Sequence, residues 1–171
     1  MSRIAGSSTE VAIRDLRFRI VPIASTLGAI SLALTPVVMA APLLPDFGFL
    51  VLITWRLLRP EIWHARTALW LGLVNDLVAG QALGQSMLLW TGAFLVFDLI
   101  DTRLGFRDYL MDWLIAAGAL FFYTVGTWYI ALLMGSDVRF MVMLPQIGLS
   151  ILAYPVAARL VLALDRWRLS R

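Results

Sequence analysis

Cysteine is absent from this 171-residue chain, and histidine occurs once, at His64. No disulfide framework, thiolate metal site or cysteine nucleophile is therefore possible. A metal site or general base built on paired histidines is excluded as well. Lysine is missing too, so all 14 basic residues are arginine, which reads as codon bias rather than function. Long polar stretches are also lacking. The longest is the first 19 residues, too short for a soluble domain.

Apolar residues are what the chain has in excess. They make up 61% of it and raise the mean hydropathy to +0.85. Soluble domains hold about 45–50%, and one core of this size cannot hide the surplus, so lipid is the natural solvent. The pI near 9.9 could suggest nucleic acid. The arginines flank apolar spans instead, which makes the membrane surface the better partner.

Hydropathy divides the chain into a cytoplasmic tail (1–19), a six-helix transmembrane domain (20–164) and a cytoplasmic tail (165–171). The first span runs from Ile20 to about Ala41. A secretory signal peptide is its rival, because Val38-Met39-Ala40 places small residues before a possible cut at Ala41. The length of the run and Pro42 favour an uncut helix. The second span is short, Leu43–Leu58, with Pro45 in its first turn and Arg56, Arg59 and Pro60 closing it. The third (Thr67–Ala82), fourth (Leu83–Ile100), fifth (Tyr109–Met134) and sixth (Phe140–Leu164) follow, the last with Pro145 and Pro155 as expected kinks.

Charge sets the orientation. With six spans, 13 of the 14 arginines fall on one side and Arg139 alone on the other. The positive-inside rule then puts both termini in the cytoplasm. Trp55, Trp63, Trp113 and Trp167 are expected near the cytoplasmic interface, where amphipathic rings prefer to sit.

The run from Gly72 to Gly84 carries most of the functional signal. Gly72, Asp76 and Gly80 are spaced by four and share one helix face. Glycines on such a face allow close backbone approach. Asp76 lies about nine residues into its span, roughly 13 Å at 1.5 Å per residue. A carboxylate at that depth costs about 2.5–3.5 kcal/mol on insertion scales and should face other helices or a water-filled cavity. It is either a functional polar lock, ligand contact or proton site, or a carboxyl that merely pins helix packing, with Asn75 able to join it. Asp98, Arg103, Arg107 and Asp112 read as an interfacial charge cluster, with Asp98 or Asp112 as possible partners for Arg159. His64 reads as an ordinary loop residue.

Enzyme chemistry is not expected. Intramembrane serine and metalloproteases need a histidine at membrane depth, and His64 is not there. Asp76 and Asp98 sit at different depths, which disfavours an aspartyl dyad. No phosphate-binding loop occurs. No cofactor or metal is implied.

Pro45, then Trp55 ten residues on, then Pro60, then Gly72, Asp76, Gly80 and Gly84 form a joint pattern. In this the chain resembles the rod-shape-determining protein MreD family, over about residues 43–100. The resemblance implies a non-enzymatic subunit of the bacterial cell-elongation machinery, multi-pass in the inner membrane. It implies an MreC-like periplasmic scaffold as partner, MreB-like filaments and wall-synthesis enzymes in the same complex, contact with membrane lipids, and no nucleic acid. It also implies a fold akin to the substrate-binding subunits of energy-coupling-factor transporters. Arg56 and Arg59 depart from the pattern and suggest stronger contact with anionic lipid. The alternative reading is a transporter subunit that binds a small molecule in the bundle, with Asp76 at mid-depth.

Overall fold

A computed structural model describes residues 8–34, 44–103 and 108–169. Among them there are six α-helices and no strand: α1 (Ser8–Ser31), α2 (Phe47–Leu58), α3 (Ala65–Ala79), α4 (Gln85–Arg103), α5 (Tyr109–Leu133) and α6 (Leu144–Leu169). Short 3-10 turns follow α1 and α2 and precede α6. The expected cleavage region around Val38–Ala41 and Arg107 of the charge cluster lie outside the described residues.

Several boundaries differ from the hydropathy reading, by two to five residues at α2, α3, α4 and α6 and by more at α1. The first helix begins at Ser8, so residues 8–19 are continuous with it rather than a separate tail. Hydropathy marks where lipid begins, not where backbone hydrogen bonding does. Pro45 does not sit in the first turn of α2. It precedes the N-cap, Asp46, whose carboxylate accepts the Phe49 N–H at 2.9 Å. Of the two prolines expected in the last span, Pro145 falls in the first turn of α6, where a missing N–H is harmless, and Pro155 lies within the helix.

The helix lengths are unequal. Among the described residues, α5 and the continuous helical stretch Phe140–Leu169 are the two segments long and apolar enough to cross a membrane alone. α2 has 12 residues, roughly 18 Å at 1.5 Å per residue, well short of a hydrocarbon core. It is also the most enclosed helix. It packs on α1, α5 and α6, and nine of its 12 residues are buried.

The core forms around it. Phe49, Leu52, Ile53 and Trp55 of α2 are fully buried, as are Trp90 and Phe94 of α4. Phe49 stacks on Trp90 at 5.7 Å between ring centroids and meets Tyr123 at 4.7 Å. The outside is apolar as well. Leu83, Leu88, Leu95, Leu133, Leu152 and Leu160 are all more than half exposed. So many exposed large apolar side chains are unusual for a soluble monomer, whereas a lipid environment accommodates them.

The tryptophans divide accordingly. Trp167 is 60% exposed, as an interfacial ring would be, but Trp55 and Trp63 are buried. The Trp55 indole N–H donates to Ser25 Oγ of α1 at 2.8 Å. Trp113 is half-buried and donates to the Ile151 carbonyl at 3.2 Å.

Candidate functional site

The α3–α4 hairpin is built on Gly72. A Cβ there would lie 2.7 Å from both Met87 Cα and Met87 N, and 2.8 Å from Ser86 C. These are backbone atoms and cannot swing aside. Gly72→Ala is expected to separate the helix pair and lower stability by about 1–3 kcal/mol, read as a fall in the unfolding temperature in mild detergent. An unchanged midpoint would mean that the two helices are not held this closely.

Gly80 and Gly84 do a different job. Space for a Cβ is open at both, so they are not close-approach points. Their φ angles are +64° and +92°, the left-handed region that glycine enters without strain. Gly80 ends α3, its N–H bonding the Asp76 carbonyl, and Gly84 shapes the turn into α4. The i, i+4 spacing therefore does not persist as one helix face, because the helix stops at Ala79.

Asp76 lies three residues before that end, not in mid-helix. It is 1% exposed. One carboxylate oxygen, Oδ2, accepts the Gly84 N–H at 2.9 Å and the Met87 N–H at 3.5 Å. The other, Oδ1, accepts the Ser86 N–H at 2.8 Å. The first N–H groups of a helix have no partner inside it, and their dipole end favours negative charge. Asp76 thus caps α4 from the preceding helix, with both oxygens on backbone N–H groups.

Asn75 extends the cluster. Its amide donates to Ser86 Oγ at 3.0 Å and to Asp46 Oδ2 at 3.2 Å. Tyr123 of α5 donates its hydroxyl to the same Asp46 oxygen at 2.5 Å. Ser86 Oγ in turn donates to Gln81 Oε1 at 3.1 Å, and Gln85 donates to the same oxygen at 3.0 Å. Three helix ends therefore converge: the start of α2, the end of α3 and the start of α4, with Tyr123 of α5 bonded to Asp46. Asp46 was not singled out from sequence. Its signal was an Asp directly before an apolar helical run, the pattern of an N-cap.

A second polar group lies at the opposite end of α2. Arg56, whose side chain is 3% exposed, pairs with Asp98 at 2.6 Å and Asp101 at 2.8 Å on α4. Its guanidinium sits 5.8 Å from the Phe94 ring centroid. Arg59, the residue after α2, bonds Asp165 of α6 through two nitrogens, at 2.7 and 3.1 Å. The hydrogen bond to Asp165 pushes the Arg59 guanidinium further toward its charged form. Arg168 pairs with the same carboxylate at 2.5 Å and lies over Trp55 at 5.3 Å. This corrects two expectations. Arg56 is an internal ion-pair partner and not a lipid contact, and Asp98 belongs to Arg56. Charge alone cannot tell an arginine facing headgroups from one facing carboxylates dozens of residues away.

The seven residues singled out from sequence are therefore split. Gly72, Asp76, Gly80 and Gly84 meet at the α3–α4 turn, and Pro45 adjoins their Asp46–Asn75 link. Trp55 and Pro60 lie at the arginine end, where Pro60 opens the 3-10 turn after α2.

No curated protein and no solved structure matches the chain. One family profile does, described as rod shape-determining protein MreD, over residues 13–165, from within α1 to the last turns of α6. With a match that spans all six helices, the chain belongs to the MreD family.

Proposed function

We propose that this chain is a non-enzymatic subunit of the bacterial cell-elongation complex, crossing the inner membrane six times with both termini in the cytoplasm. In this reading it docks an MreC-like periplasmic scaffold and works with MreB-like filaments and the enzymes that build lateral wall. The family match over residues 13–165 carries the proposal. The internal chemistry supports it. Asp76 is engaged by backbone N–H groups and the arginine end by helix-to-helix pairs, as suits a bundle whose task is to hold a shape for partners.

Depletion in a rod-shaped host tests it. Cells are expected to round up, and the tagged protein to retain an MreC-like partner through mild solubilisation. Rods that persist on depletion, together with a tagged protein that retains no MreC-like partner, would end the proposal. The alternative of a small-molecule transporter subunit predicts that loss of the protein abolishes uptake of one compound while cells stay rod-shaped.

A further inference from the structure

The short start of α2 leaves a recess. Asp46 bonds Tyr123, which lies ten residues before the end of α5 at Leu133, roughly 15 Å inside it. A cavity of about 260 Å³ opens there, with Asp46, Asn75, Gln81, Tyr123, Thr127 and Gln146 among its polar lining; the hydroxyl of Thr124, also on the wall, is bonded to the Leu120 carbonyl, and the remaining side chains are small or apolar. These groups come from the start of α2, the end of α3 and the turn after it, α5, and the first turn of α6.

The charge of this recess is unbalanced. Among the described residues, no cationic side chain lines it. The ion pairs of Arg56, Arg59 and Arg168 lie at the other end of α2, and none of them engages Asp46. The groups that do reach Asp46 are neutral donors: the Phe49 N–H, the Asn75 amide and the Tyr123 hydroxyl. They orient the carboxylate without cancelling its charge. A carboxylate kept in a partly closed, low-dielectric space attracts a cation and repels an anion.

We infer that this recess is a binding site for a primary ammonium group, carried by a small free amine or by a lipid headgroup. An ammonium brings three donors and no acceptor. The recess offers acceptors to match: the Asp46 carboxylate, the Tyr123 and Thr127 oxygens, and the Gln146 carbonyl, whose amide nitrogen is already turned onto the Leu44 carbonyl at 3.0 Å. A quaternary ammonium fits poorly. It has no N–H to donate and is recognised by an aromatic cage, which one tyrosine and Phe47 do not make. At about 260 Å³ the space falls below the roughly 300–1,000 Å³ of drug-sized sites, so the occupant is small or is one headgroup. The site does not depend on the elongation reading, because cell shape on depletion and amine binding are separate measurements.

The test uses the full chain in phosphatidylcholine nanodiscs, titrated calorimetrically with n-butylamine hydrochloride, n-butanol and tetramethylammonium. Butylammonium should bind saturably and at least about tenfold more tightly than either control, the margin of a charge-assisted hydrogen bond. Asp46→Asn keeps an efficient N-cap and should weaken butylammonium by about tenfold or more. Gln146→Leu, on the opposite wall, should weaken it by about threefold and serves alone should the Asp46 variant fail to fold. Phosphatidylethanolamine in the disc separates the sources. Weakened butylammonium binding there identifies the headgroup as occupant, and unchanged binding identifies a free amine. No saturable binding of butylammonium, equal binding of butanol, or full affinity in Gln146→Leu would overturn the site.

Discussion

Arg56→Ala is expected to destabilise the bundle by about 3–4 kcal/mol, read as a lower unfolding midpoint in mild detergent. The side chain is 3% exposed and bridges Asp98 and Asp101, while its face lies against Phe94. Breaking a buried ion pair typically costs about 3–5 kcal/mol, because the remaining charge loses its partner. Here Asp98 is 53% exposed, so water recovers part of that cost and the lower half of the range applies. The sign of the control matters as much. Arg56→Met keeps the packing volume, and combined with Asp98→Leu and Asp101→Leu it should recover most of the loss, since well-packed apolar replacements of buried ion pairs are often neutral. Arg56→Lys should recover little. A lysine ammonium is a point charge, whereas the guanidinium fork reaches two carboxylates with separate nitrogens. Arg56→Ala with an unchanged midpoint would show that α2 is not fastened to α4 at this end.

The same contacts show where sequence reading stops. Six helices were legible because each apolar run is bounded by charge, glycine or proline, and α5 was placed within one residue of its observed end at Leu133. The break between the third and fourth spans was legible too, although it falls between Ala79 and Gln85 and the role of the glycines was not foreseen. Spacing by four suggested a packing face, and only the positive φ angles reveal a helix stop. Facing was the larger loss. In a soluble helix, polarity marks the outside. In this bundle the inner and outer faces are both apolar, so nothing local distinguishes buried Trp55 from exposed Trp70, at 0% and 65% exposure. Partners far apart in sequence were equally hidden. Arg59 and Asp165 are separated by 106 positions, and Asp46 and Tyr123 by 77. Asp46 itself was within reach, since an Asp between a proline and an apolar run is an N-cap signal.

Asp76→Ala is expected to have the largest effect of any single change at the α3–α4 turn, about 3–5 kcal/mol. It strands the N–H groups of Gly84, Ser86 and Met87. Each buried, unpaired donor costs about 1–3 kcal/mol, with incomplete additivity, and the favourable carboxylate at the N-terminal dipole of α4 is lost as well. Ser86 is fully buried, so water offers its N–H no substitute. The consequences should spread through Ser86 to Asn75 and from there to Asp46, loosening three helix ends on one side of the bundle. On the proposed function, recovery of the MreC-like partner should fall together with the unfolding midpoint. Asp76→Asn separates the two roles the carboxylate could have. The amide retains one acceptor oxygen, so the variant should fall between wild type and alanine in both measurements. If instead Asp76→Asn unfolds at the wild-type midpoint yet no longer retains the partner, the carboxylate touches that partner directly, and capping of α4 is not its main task. Parallel losses of stability and partner recovery across the alanine and asparagine variants would place the effect in the fold of the hairpin.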